Sequence, residues 1–269
     1  MIQRAGISSM GRNDLALLIG RGRRLIHVDD AARLLKADHR EVTRKLARWA
    51  ELGWLRRVRR GLYIPVPIEA ENPATWSDDA LYLADAVWTP CYFTGWTAAN
   101  HWGFTEQVFR TTVVKTTERV RASHQTLLDH EYLVAHVPPE TIWGTVALWR
   151  HDRRLQMADP ARTIVDVLDQ PALAGGIRHA SELLTSYLDG KDEDELVAYG
   201  DRLGNNAVFK RLGYLIGALK LNRPALEGEC RKRVSAGLAL LDPTGPRGGK
   251  AATVWGLRVN VHVEPTGAS

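Results

Sequence analysis

Features that would identify several protein classes are scarce or missing in this sequence. It has only two cysteines, Cys91 and Cys230, far apart and without neighbouring histidines or cysteines at metal-ligand spacing. A zinc knuckle is therefore excluded, and a disulfide framework is not expected. No run of about 18 apolar residues is present for a membrane span, and charged residues interrupt the N-terminus where a signal peptide would need an apolar run. We expect a cytoplasmic protein.

Catalytic signatures are equally scarce. The sequence contains no G-x-x-x-x-G-K-[ST] loop, no H-E-x-x-H pair and no G-x-S-x-G elbow. The glycine-rich segment 243–250 ends in Lys250 without a following serine or threonine, which favours a surface loop over a phosphate cradle. Lys115 and Glu118 are the nearest approach to a nuclease centre, and the histidines lack metal-ligand spacing. We expect no enzyme, catalytic residue, metal or cofactor, with a DNA-targeted nuclease as a minor alternative.

The charge that is present is unevenly distributed. The 269 residues carry 36 Lys and Arg against 31 Asp and Glu, a net charge of +5. Residues 1–68 hold 15 basic and 6 acidic side chains, a net of +9, and the other 201 residues hold 21 and 25, a net of −4. Because the whole positive excess lies in the N-terminal quarter, that part of the chain is predicted to bind a polyanion, most simply nucleic acid. The length favours two domains.

The N-terminal quarter has the pattern of a helix-turn-helix. Residues 11–20 and a segment beginning near Asp29 predict two helices, the second with small alanines on its buried face. In Ala37–Leu55, Asp38 and Glu41 have capping-box spacing, and Gly53 ends the third helix. Val42, Leu46 and Trp49 form one apolar stripe. The opposite face presents Arg40, Thr43, Arg44 and Arg48. This helix follows the second by about three residues, so it is predicted to be the recognition helix.

A two-stranded ribbon is predicted after this helix. Leu55, Val58, Leu62 and Ile64 are its apolar positions, and its turn lies at Arg59–Gly61. Such a ribbon, or wing, would bring arginines to the phosphate backbone. The candidates are Arg56, Arg57, Arg59 and Arg60. The sequence therefore predicts a winged helix-turn-helix in residues 1–67, joined by a proline-containing linker to a larger mixed α+β domain in residues 68–269.

The sequence of residues 68–269 predicts strands followed by helices. A helix is predicted in Trp76–Trp88, and β-branched and aromatic runs predict strands around Lys115, Val134 and Val146. Asp159 and Pro160 have the cap and first-position residues of a helix. Three more helical patterns and a final strand follow. The predicted fold class is α+β.

Four phrases in this part of the chain resemble a known family. They are YFTGWTAANHWGFTEQ (residues 92–107), DPARTIVDVLDQPALAGGI (159–177), LGNNAVFKRLGYLIGAL (203–219) and LLDPTGPRGGKAATVWGLRVN (240–260). Together with EVTRKLARWAELGWLRRVRRGLYIPV (41–66), they resemble the AbiEi-type antitoxins and transcriptional regulators of type IV toxin–antitoxin systems. The resemblance spans most of the chain in the expected order.

The resemblance implies a non-enzymatic antitoxin with two roles. The winged helix would repress its own operon by binding inverted repeats in promoter DNA, and the C-terminal domain would counter a nucleotidyltransferase-fold toxin without necessarily binding it directly. It implies no specific antitoxicity residues. Those that stand in the shared phrases are Trp96, Asn100, His101, Arg211 and Arg247. A stand-alone regulator whose C-terminal domain senses a ligand or protein is the alternative. Since no heptad seam is present, we expect a monomer that assembles cooperatively on DNA.

Overall fold

The computed structural model describes residues 6–20, 24–190 and 192–265, and the chain has a mixed α+β fold. These described ranges contain ten α-helices and three β-sheets. Two units are present: Met1–Val87 with Gln125–Glu131 form the first, and Trp88–His124 with Tyr132–Ser269 form the second. Residues 21–24 include three arginines. Of these, only Arg24 lies within the described residues.

The first unit contains three helices that match the sequence pattern. They are α1 (Ser9–Ile19), α2 (Val28–Leu35) and α3 (His39–Glu51). The predicted cap of α3 is confirmed, because the Asp38 carboxylate accepts hydrogen bonds from the backbone N–H groups of Arg40 and Glu41 at 2.8 and 3.3 Å. Its apolar stripe is also confirmed: Val42, Leu46 and Trp49 are buried in the core of the unit.

A small antiparallel sheet completes this part of the chain. Its strands are β1 (Ile26–His27), β2 (Leu55–Arg59) and β3 (Leu62–Pro65), in the order β1-β3-β2. The β2–β3 ribbon is confirmed, and Gly61 in its turn has a φ of 77°, which glycine adopts without strain. The sequence predicted only two paired strands. The extended residues before α2 add the third, because Ile26 and His27 pair with Tyr63 and Leu62.

The boundary between the units lies farther along the chain than the predicted 67/68. Residues 68–87 and the segment Gln125–Glu131 group with the first unit, and arginines of the basic quarter bind these segments. Arg24 pairs with Asp78 at 3.2 Å, Arg56 with Asp129 at 2.8 Å, and Arg59 donates to the carbonyl of Val87 at 3.0 Å. The proline-containing stretch that predicted a linker is followed by residues that complete the first unit.

The strands of the larger sheet lie in the order β6-β7-β5-β4-β9-β8. Their bounds are β4 (Cys91–Phe93), β5 (Thr111–Thr116), β6 (His124–Leu127), β7 (His130–His136), β8 (Thr145–Arg150) and β9 (Arg153–Ala158). The three runs predicted as strands are confirmed as β5, β7 and β8. β4 pairs antiparallel with β5 and parallel with β9. β8 pairs antiparallel with β9 and forms one edge of the sheet.

Helices cover most of the remaining chain. They are α4 (Ala80–Trp88), α5 (Gly95–His101), α6 (Pro160–Asp169), α7 (Ile177–Leu188), α8 (Glu193–Leu203), α9 (Ala207–Ala218) and α10 (Pro224–Lys232). The predicted cap of α6 is confirmed, since the Asp159 side chain accepts from the N–H of Arg162 at 2.8 Å. The short strands β10 (Ala239–Leu240), β11 (Lys250–Ala252) and β12 (Leu257–Val259) form a third sheet.

A charged cluster is buried in the second unit at the centre of α6. The Asp166 carboxylate accepts four hydrogen bonds, from Lys115 Nζ (3.0 Å), Arg162 Nε (3.0 Å), Thr94 Oγ1 (2.7 Å) and Tyr92 OH (3.1 Å). All five side chains are buried. Burial alone would raise the pKa of the Asp166 carboxyl, but Lys115, Arg162 and Thr94 outweigh it and hold that pKa below its usual range. The carboxylate therefore stays charged and neutralises one of two buried cations.

The two cysteines of the second unit are both buried free thiols. Burial raises the pKa of the Cys230 thiol to about 12. A thiol with so high a pKa is protonated at neutral pH, and a protonated thiol is a poor nucleophile. Cys230 therefore acts as a small apolar side chain in the core formed by α6, α7 and α9.

Candidate nucleic-acid interface

The residues that α3 buries determine which of its other residues face solvent. Because Val42, Leu46 and Trp49 point into the core, residues about half a turn away face solvent. Arg40, Thr43, Arg44 and Arg48 are all on this side of the helix. Three residues separate α3 from α2, as the sequence predicted. The helix thus carries three guanidinium groups and a hydroxyl on its solvent side.

A groove of about 820 Å³ lies beside this face and brings together residues from three stretches of the chain. We call it the arginine groove. It is lined by the start of α2, by α3 and by the turn between β2 and β3. Its lining residues are His27, Val28, Asp29, His39, Arg40, Thr43, Arg44, Arg60 and Gly61. Four of the eight residues predicted from the sequence therefore share one concave surface.

The arginines of the groove are available for a ligand. The guanidinium groups of Arg40, Arg44 and Arg60 make no hydrogen bond or ion pair with any other residue that the structure describes, and all three residues are exposed to solvent. Thr43 differs, because its hydroxyl donates to the carbonyl of His39 at 2.7 Å. It can still accept a hydrogen bond. Three uncommitted guanidinium groups on one groove suit an anionic ligand with several phosphates.

The other four predicted residues lie outside the groove lining, and three are already engaged. Arg48 pairs with Glu51 at 3.3 Å. Arg56 donates to Asp129 and to the carbonyl of Trp76, and only 17% of its side chain is exposed. Arg59 donates to the carbonyl of Val87. Arg57 is exposed and makes no side-chain hydrogen bond or ion pair among the described residues.

Sequence reasoning missed one acidic residue of the groove. Asp29 is exposed at the start of α2, and its carboxylate lies 3.2 Å from His27 Nδ1 and 3.1 Å from His39 Nε2. Its position in the first turn is favourable for the helix dipole. A phosphate entering the groove would be repelled by this carboxylate. The local sequence places Asp29 at a helix start but gives no sign that it shares a surface with Arg40 and Arg44.

Most residues singled out in the shared phrases have structural contacts. Arg211 is buried and donates to four carbonyls, those of Leu168, Asp169, Leu240 and Leu241. The indole N–H of Trp96 donates to the carbonyl of Thr111, and its ring stacks on Phe109. Asn100 donates to the carbonyl of Gln107 at 3.4 Å, and His101 packs edge-on against Trp102. Arg247 is exposed.

The residues proposed for a nuclease centre do not form an accessible one. Lys115 is only 1% exposed, and its ammonium group is bound to Asp166. Glu118 follows the strand, where its backbone N–H donates to the hydroxyl of Thr116. Across residues 6–20, 24–190 and 192–265, no group of three or more His, Cys, Asp or Glu side chains is placed to hold a metal ion. None of the helices in these ranges has the length and apolar character needed to span a bilayer.

A solved structure from Mycobacterium tuberculosis has a similar fold at low sequence identity. The crystal structure of the RV2827C protein from Mycobacterium tuberculosis is similar over 95% of this chain and 92% of that chain, with a TM-score of 0.64 and 15% identity. Such a likeness concerns the fold alone. No family model and no curated protein matches the chain. The arginine groove is therefore the main evidence on function.

Proposed function

We propose that this protein is a DNA-binding repressor whose first unit is a winged helix-turn-helix. The observation that carries the proposal is the arginine groove, in which Arg40, Arg44 and Arg60 are exposed and uncommitted. The order of two helices, a three-residue connection and a ribbon agrees with a winged helix. In this assignment α3 enters the major groove, Arg40 and Arg44 reach base edges, and Arg60 contacts the backbone.

We further propose that the repressor is the antitoxin of a type IV-like toxin–antitoxin operon. This part rests on the resemblance of residues 41–66 and of four C-terminal phrases to AbiEi-type regulators. It assigns a cytoplasmic protein that binds inverted repeats in its own promoter, with the second unit countering a nucleotidyltransferase-fold toxin. Neither role needs a catalytic residue, metal or cofactor.

Binding to promoter DNA tests the first proposal. We expect the full chain to bind a duplex from the region upstream of its own gene more tightly than a scrambled duplex of equal length and composition. Specific sites are usually bound at least about 10³-fold more tightly than non-specific DNA. Fluorescence anisotropy at fixed salt measures both affinities. Equal affinity for the two duplexes would contradict sequence-specific DNA binding and therefore the proposed repression.

Co-expression with a neighbouring nucleotidyltransferase-like protein tests the second proposal. The full chain and an Arg40→Ala, Arg44→Ala, Arg60→Ala variant are each expressed from a promoter that the protein does not control. If the second unit carries antitoxicity, both restore growth. Failure of the wild-type chain to restore growth would favour the stand-alone regulator.

Asp29→Asn is expected to strengthen DNA binding, because it removes a negative charge from the groove. Unit charges a few ångströms apart interact by about 1 kcal/mol in water, so the gain should be about fivefold in promoter affinity. Anisotropy titrations at constant pH and salt measure it. The neighbouring Asp30→Asn is the matched control, since Asp30 is also in the first turn of α2 but pairs with Arg33 and does not line the groove. Equal affinities for the two variants would contradict the expected effect.

A further inference from the structure

The hairpin between β8 and β9 carries a concentration of positive charge in the second unit. Residues 149–154 read Trp-Arg-His-Asp-Arg-Arg, and we call them the basic hairpin. Three arginines and one aspartate give this segment a net charge of +2, whereas residues 69–269 together have a net charge of −4. A local excess of this sign within an acidic region suits an anionic ligand.

Trp149 is placed unusually for a large aromatic side chain. It lies on the edge strand β8 and is 66% exposed. Its partner across the antiparallel ladder is Arg154, which is also exposed. Directly opposed residues project from the same face of a sheet with their Cβ atoms about 5 Å apart. The indole and this guanidinium group therefore share a solvent-facing surface.

The polar and aromatic groups of these two side chains are uncommitted among the described residues. Among the described residues, the Trp149 ring makes no ring contact or hydrogen bond, and the Arg154 guanidinium makes no ion pair or hydrogen bond. The arginines of the arginine groove are likewise uncommitted, but they have no exposed indole beside them. Trp149 is an exposed aromatic residue whose partner in the strand ladder is an exposed arginine, Arg154.

The neighbouring pair of the hairpin strengthens the positive potential. Arg150 and Arg153 are partners in the ladder next to Trp149 and Arg154. Burial lowers the pKa of the His101 imidazole below its usual range, and the charge of Arg150 lowers it further. The direction of this shift agrees with a positive charge at Arg150. Asp152 is the one acidic residue of the basic hairpin.

We infer that the basic hairpin binds single-stranded nucleic acid, with a base stacked on Trp149 and an adjacent phosphate bound by Arg154. An exposed indole can stack on any base, and a guanidinium group donates two hydrogen bonds to a phosphate. In a duplex the base faces are covered by stacking, so this pair of side chains favours an unpaired strand. The site is separate from the arginine groove and goes beyond the function proposed for it.

Titration of the full chain with labelled uridine and thymidine dodecamers tests the inference. Stacking of one base contributes about 1 to 3 kcal/mol, so Trp149→Ala should weaken binding about 5- to 150-fold. Trp149→Phe keeps a ring and should stay within about threefold of wild type. Arg154→Ala should reduce the salt slope by about 0.7, the value for one phosphate of a single strand. Arg258→Ala, which removes an exposed arginine of β12, is the matched control.

Two further measurements distinguish the basic hairpin from the arginine groove and from a dimer interface. Trp149→Ala should weaken dodecamer binding by the same factor in the wild-type chain and in the Arg40→Ala, Arg44→Ala, Arg60→Ala variant. Dodecamer binding that is lost in this variant but kept in Trp149→Ala would assign it to the groove and overturn the inference. Sedimentation velocity tests whether Trp149 at the β8 edge instead contacts a second copy of this chain. If Trp149→Ala changes a dimer to a monomer and leaves dodecamer affinity unchanged, the inference of a nucleic-acid site is also overturned.

Discussion

Asp166→Asn is expected to lower the free energy of unfolding by about 3 to 5 kcal/mol, the usual cost of removing one partner from a buried ion pair. The change leaves the buried cations Lys115 and Arg162 without their anion. Asparagine keeps the volume and one acceptor oxygen, so the loss is mainly electrostatic. Chemical denaturation at pH 7, followed by circular dichroism, measures the effect.

The pH dependence of the stability difference between wild type and Asp166→Asn provides a second test of the role of the Asp166 charge. Because the folded-state pKa of Asp166 is lowered, its charge contributes stability above the unfolded-state pKa of about 4. That contribution is lost as the pH falls further, so the difference between wild type and Asp166→Asn should shrink below pH 4. Asp189→Asn, at the exposed end of α7, is the control and should change stability by less than about 0.5 kcal/mol. A loss below about 1 kcal/mol for Asp166→Asn at pH 7 would contradict the assigned role.

Replacing Arg40, Arg44 and Arg60 together by alanine is expected to weaken promoter binding by at least about 100-fold. A guanidinium that reads a guanine edge contributes about 1 to 3 kcal/mol, and a backbone contact adds salt-dependent affinity. The slope of log K against log salt should fall by about one unit for each lost phosphate contact. Anisotropy titrations over a range of about 50 to 200 mM salt measure both quantities.

Arg48→Ala is the control for this triple variant. Arg48 lies on the same helix and is exposed, but its guanidinium is paired with Glu51 and does not line the groove. We therefore expect promoter affinity to stay within about threefold of wild type. The assignment of the groove fails if the triple variant binds the promoter as tightly as Arg48→Ala does.

Local signals predicted much of the first unit. The cap at Asp38, the stripe formed by Val42, Leu46 and Trp49, and the glycine of the β2–β3 turn act within a few residues of each other. Such short-range patterns can be read directly from the sequence. They correctly placed α3 and the ribbon, and with them Arg40, Arg44 and Arg60 near one another.

Contacts between distant parts of the chain could not be predicted in this way. Arg56 and Asp129 are 73 positions apart, and Lys115 and Asp166 are 51 positions apart. Whether an arginine is free or paired depends on which remote carboxylate folding brings to it. The exposure of Trp149 was missed for a related reason, because the sequence of β8 does not reveal that it lies at the edge of its sheet.

The arginines engaged inside the first unit affect how fragments of this protein would behave. A peptide of residues 1–67 lacks Asp78, Val87 and Asp129, which are the acceptors for Arg24, Arg59 and Arg56. Three guanidinium groups that the whole chain satisfies internally would then be exposed to any polyanion in solution. Affinity measured with such a fragment would overstate non-specific attraction, so the selectivity of this protein for any polyanion has to be measured on the intact chain.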